Sequence, residues 1–135
     1  MHSINYLAVI VVTIALFIFS SIYYIATAKA RAAVSEAGKK DLENIKQRNP
    51  GKMLAEIVRT FVLIWVVAYL VEHTASTNVG SGAKLALILW IGFPLILLTG
   101  SVMWEKVPTK LAIIHSGDWF VKIFFAAIIL AVWHK

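Results

Sequence analysis

The chain has 135 residues, 60% of them hydrophobic, no cysteine and a formal net charge of +6. Without cysteine there are no disulfides, thiolate metal sites or cysteine nucleophiles, and the apolar fraction exceeds the roughly 45–50% of a soluble domain. The apolar excess is gathered in long runs and most of the positive charge in one loop, so the expected partner is a lipid bilayer and not a nucleic acid.

Four runs are long enough to cross the ~30 Å hydrocarbon core. The first extends from about Ile4 to Ala28. Ala26-Thr27-Ala28 looks like a signal-peptidase site, but no Lys or Arg precedes the run and Lys29 and Arg31 follow it. We therefore expect the segment to stay as a membrane helix. The loop from Lys29 to Lys52 is rich in Ala, Lys and Glu. Val34, Leu42 and Ile45 give it a weak apolar stripe, which predicts a short amphipathic helix at the cytoplasmic interface, closed by a turn at Asn49-Pro50-Gly51. The second span runs from about Leu54 to Val71, and Glu72 to Gly82 forms a short polar connector. The third span runs from about Leu85 to Val102 and contains Pro94, which predicts a kink. The fourth runs from about Leu111 to Trp133.

Charge sets the expected direction. Lys29, Arg31, Lys39, Lys40, Lys46, Arg48 and Lys52 follow the first span, and Lys106 and Lys110 follow the third; only Lys84 and Lys135 lie on the other side. The positive-inside rule then puts both termini outside. The expected fold is all-α: one integral membrane four-helix bundle over residues 1–135, N-out and C-out, in the cell inner membrane. Small residues suggest where helices meet: Ala8 and Ala15, Gly92 and Gly100, and Ala126, Ala127 and Ala131. Four spans enclose little interior, so a homodimer is expected.

The fourth span carries the most informative polar residues. His115, Asp118 and Lys122 fall at i, i+3 and i+7, and share a helical face with Trp119. A charge at the bilayer centre costs roughly 2.5–3.5 kcal/mol on insertion scales, so it pairs, faces protein or lines a wet cavity. At ~1.5 Å per residue from the cytoplasmic boundary, Glu56 lies ~3 Å deep, Arg59 ~7.5 Å, His115 ~6 Å, Asp118 ~10 Å and Lys122 ~16 Å. Ser20, Ser21, Tyr24, Thr27 and Thr99 belong to the same half. The polar half predicts a crevice open to the cytoplasm, with Asp118 paired to Lys122 and facing Glu56 or Arg59. No cofactor is expected, because His2, His73 and His134 lie on the side opposite His115 and no phosphate-binding loop or His-Glu-x-x-His pattern occurs.

Short motifs add a family. Asn5-Tyr6-Leu7-Ala8-Val9 opens the first span and Tyr23-Tyr24 closes it. Ala68-Tyr69, Leu89-Trp90-Ile91-Gly92-Phe93-Pro94 and Ser116-Gly117-Asp118 follow in the later spans. The chain resembles the bacterial membrane-protein family termed domain of unknown function 1761. The resemblance implies a four-helix membrane protein of prokaryotic type and no particular reaction. Tyr23-Tyr24 stands where that family tends to have Trp-Tyr, and Asp118 where an aromatic is frequent. The resemblance therefore makes the charged pair a feature of this chain.

Three functions fit these residues. The first is binding or transport of a small solute or proton through the polar half. The second is a structural or regulatory membrane protein whose charges fix helix packing. The third is an intramembrane enzyme with His115 and Asp118 as acid and base, and Trp90 or Trp119 stacking on a lipophilic substrate. Water or ligand space against Asp118 separates the first and third from the second.

Overall fold

The computed structural model describes residues 4–36, 39, 40 and 50–133. Four helices are long and apolar enough to cross a membrane: α1 (Tyr6–Ala32), α2 (Pro50–His73), α3 (Val79–Trp104) and α4 (Thr109–Val132). No strand occurs among the described residues. This is a multi-pass membrane protein, and four crossings bring the two ends of the chain to the same side. The opposite side, where α1 and α3 end and α2 and α4 begin, is here termed the basic end.

Each helix exceeds its apolar run because caps and interfacial turns need no hydrocarbon. The 27 residues of α1 give it ~40 Å against a ~30 Å core, so the helix is long enough to include Lys29 and Arg31 in a last turn beyond the hydrocarbon. Pro50 and Gly51 are the first turn of α2 and not a loop turn. Proline suits that place, since its missing N–H would have had no partner there. Asn49 and the remainder of the expected amphipathic helix, including Leu42 and Ile45, lie outside the described residues. At the other end of α2, Ala75 adopts φ 53°. The Ser76 amide donates to the Val71 carbonyl (3.1 Å) and the Ala75 amide to Glu72 (3.4 Å), a Schellman closure. Asn78 and Ser81 then form a capping box that starts α3. The expected connector from Glu72 to Gly82 thus shrinks to a few residues.

The helices pack around α4. It contacts α1, α2 and α3, and α1 also packs on α2, whereas no comparable contact joins α3 to α1 or α2 among the described residues. The core fills the half away from the basic end. Ala8, Val9, Val12 and Leu16 of α1 meet Ile64, Val67, Ala68 and Val71 of α2 and Ala86 of α3. From α4 come Ile123, Ala126, Ala127, Leu130 and Ala131. The α4 positions fall at i, i+3, i+4, i+7 and i+8, one helical face. Lipid tails are as apolar as this core, so its attraction comes from close packing of small residues and not from leaving water. Ile10, Ile14, Ile18, Ile22 and Ile25 of α1 form an exposed isoleucine stripe, as a lipid-facing surface requires.

Pro94 takes a definite form in α3, and one expectation about that helix changes. Pro94 sits in a π-helical turn, Ile91–Leu95, where the wider winding accommodates the missing N–H. The close approach to α4 occurs at Gly82, not at Gly92 or Gly100. A Cβ on Gly82 would lie 2.9 Å from the Ala127 carbonyl oxygen and 3.0 Å from Ala131 Cβ, whereas one on Gly92 or Gly100 would meet nothing within 4 Å. Ala8, Ala126, Ala127 and Ala131 are fully buried; Ala15 is half-buried. Gly82→Ala should therefore cost about 1–3 kcal/mol by overpacking against backbone. Gly92→Ala and Gly100→Ala should be neutral, or stabilise by up to ~1 kcal/mol through helix propensity. Melting temperatures in detergent check this order.

Candidate functional site: the polar seam between the first and last helices

Asp118 and Lys122 form an ion pair one turn apart on α4, with Lys122 Nζ 2.9 Å from Asp118 Oδ2 and side-chain exposures of 12% for Lys122 and 6% for Asp118. Ser20 of α1 donates to the other carboxylate oxygen at 3.5 Å. The Lys122 ammonium also lies 5.4 Å from the Trp119 ring centroid, within cation–π range. Trp119 itself packs against the apolar core. The pair thus closes the core on the side toward the basic end.

From there the seam continues in antiparallel register. The Tyr23 hydroxyl donates to the Ile114 carbonyl at 2.6 Å. The Tyr24 and His115 rings lie 6.3 Å apart and tilted. Arg31, only 3% exposed, donates from Nη2 to the Tyr24 carbonyl (2.7 Å) and from Nε to the Thr27 hydroxyl (3.3 Å). Its guanidinium lies 4.4 Å from the Tyr24 ring centroid. On another side of α4, Trp90 Nε1 donates to the Ser116 carbonyl at 3.0 Å. Each of these carbonyls has a second lone pair for such a bond beside its helical one. Gly117 follows them in the same turn, and a Cβ there would come 3.0 Å from the Tyr23 hydroxyl. Side chains of α1 and α3 thus grip one turn of α4 through its backbone.

The candidate residues divide into two groups. His115, Asp118, Trp119 and Lys122 share the α4 seam. Glu56 and Arg59 pair with each other on α2, with exposures of 50% and 68%, and do not join Asp118. The expected match was one of depth, which leaves rotation open, and their exposure shows that α2 turns the pair outward. The hydroxyls of the polar half also contribute less than expected. Ser21, Thr27 and Thr99 donate to carbonyls four residues back in their own helices, and Ser20 alone of these reaches Asp118. Two grooves, one between α3 and α4 and one between α1 and α2, are lined by apolar side chains for the most part, and neither is lined by Asp118, Lys122 or His115. Sequence reasoning passed over Arg31, Tyr23, Gly117 and the Trp90 indole donor. The i, i+3, i+7 spacing of Tyr24, Thr27 and Arg31 was the available signal.

With this geometry in hand, comparison with known proteins gives one match. The family described as a protein of unknown function (DUF1761) matches residues 7–131. The chain belongs to the DUF1761 family. The match takes in nearly all of the four spans, so the seam is part of the DUF1761 domain in this chain. No curated protein and no solved structure matches.

Removing one member of a buried pair strands its partner at low dielectric, at about 3–5 kcal/mol. Lys122→Met should therefore lower the melting temperature more than Asp118→Asn combined with Lys122→Met. A thermal-unfolding cycle in detergent checks this, and equal stability of all variants would mean that the two groups are independently hydrated.

Proposed function

We propose that the chain has a structural or regulatory role in its membrane, and that the Asp118–Lys122 pair ties α4 to α1 instead of serving a moving solute or proton. The observation that carries this reading is the packing of the pair: its side chains are 6% and 12% exposed, and Asp118 and Lys122 line neither of the two grooves described above. A proton relay or a solute site needs groups that water or ligand can reach. Here one carboxylate oxygen meets the ammonium and the other a serine hydroxyl. Acid–base catalysis asks for the same access at His115 and Asp118. These contacts favour the tie over transport and over an intramembrane reaction. In the proposed orientation the basic end faces the cytoplasm, by the excess of Lys and Arg in its two loops.

Proteoliposomes loaded with a pH-sensitive dye test the reading. Under an imposed proton gradient and a potassium potential, vesicles with the wild-type chain should acidify no faster than protein-free vesicles. The Asp118→Asn variant should match both. Proton flux through the wild type that disappears in Asp118→Asn would replace the structural reading with transport.

A further inference from the structure

The groove between α3 and α4 is separate from the ion pair, and its shape and charge point to a ligand. It has a volume of about 520 Å³, within the roughly 300–1,000 Å³ of small-molecule sites. Leu98, Val102, Ile113 and Phe120 are prominent in its lining. Its lining is almost wholly apolar, and two of the polar groups placed there are engaged elsewhere: the Thr99 hydroxyl donates to Leu95 and the Ser116 carbonyl accepts from Trp90. A water-soluble ligand would find few hydrogen-bonding groups, and a hydrocarbon would lose none.

Length narrows the choice of hydrocarbon. The groove is lined on α3 by Trp90 and from Leu95 to Met103, and on α4 from Thr109 to Phe120, ~16–20 Å at the helical rise. That is short of the full ~30 Å core. At its inner end the Trp90 and Phe120 rings meet edge to face, 5.2 Å apart, beside the π turn. A transmembrane helix of a second copy would need a groove spanning both leaflets; an acyl chain does not. At the outer end lies the tight loop between α3 and α4, with Lys106 in it and Lys110 just beyond, both exposed; Glu105 is its one carboxylate. Lys106 adopts φ 57°, a region that favours glycine, so the turn itself gives no reason for a lysine there.

We infer that this groove seats one acyl chain of an anionic phospholipid, with its phosphate over Lys106 and Lys110. The hydrocarbon walls hold the tail, the loop lysines select the headgroup, and Glu105 moderates the attraction. The site does not depend on the role assigned to Asp118.

Native mass spectrometry of the full chain in mild detergent tests this, with phosphatidylglycerol and phosphatidylcholine of identical tails as probes. One phosphatidylglycerol per chain should be retained in preference to phosphatidylcholine. Lys106→Gln with Lys110→Gln should lower that preference roughly tenfold or more at low salt, and Glu105→Gln should raise it. Thr99→Trp, on an exposed wall, should expel the lipid while leaving the melting temperature unchanged. Ile113→Trp fills the groove from α4 and repeats the test independently of α3. Equal retention of the two lipids would overturn the proposal. So would undiminished phosphatidylglycerol binding in both tryptophan variants, which would mean that loop charge acts without the groove. A lipid-free dimer that either tryptophan variant dissociates would give the groove to a second copy instead.

Discussion

The ion pair between Asp118 and Lys122 sits on α4, the helix that the other three all touch. An unpaired charge at that depth would be costly in hydrocarbon, so the pair is what allows α4 to carry polar residues and still lie at the centre of the bundle. Its position also marks a boundary. On one side the four helices meet through alanine, valine, leucine and isoleucine; on the other, α1 and α4 meet through hydroxyls and aromatic rings, with Arg31 bracing Tyr24 from within α1. The two halves differ in what holds them. Small side chains allow near backbone contact in the first, as Gly82 against Ala127 shows. In the second, side chains of α1 and α3 hydrogen-bond to backbone carbonyls of a single α4 turn.

Such backbone contacts fix both the height and the rotation of α4. Tyr23 and Trp90 reach carbonyls two residues apart on different sides of the helix, and Gly117 leaves room for the phenol. A rotation of α4 that brought Asp118 toward lipid would break both bonds. The hydroxyls that face lipid elsewhere are satisfied within their own helices, in keeping with a solvent that offers no partners. The polar half is thus a hydrogen-bonded seam, and beside it an apolar groove runs along α3.

The apolar runs made the four helices legible, because a bilayer imposes a minimum length on any spanning element. The i, i+4 spacing likewise made the Asp118–Lys122 pair legible, and Glu56 or Arg59 was expected to face it. Their expected meeting failed for a definite reason. Sequence gives depth through the helical rise, but the rotation of each helix about its axis depends on packing, and α2 turns Glu56 and Arg59 outward. The same limit applies to α3. Gly92 and Gly100 looked like contact points, yet α3 lies against α4 and not among all the helices, so only the face containing Gly82 and Ala86 is covered. Pro94 announced an irregularity, and its form as a π turn follows from the local winding.

Whether the pair is dry decides between a packing tie and a path through the membrane. Water-edited solid-state NMR of the chain in lipid bilayers measures this directly, by the rate at which magnetisation passes from water to each side chain. The account predicts rapid transfer to exposed Lys110 and slow transfer to Asp118 and Lys122, as slow as to the core alanines. Transfer to Asp118 as fast as to Lys110 would show a hydrated cavity and contradict it.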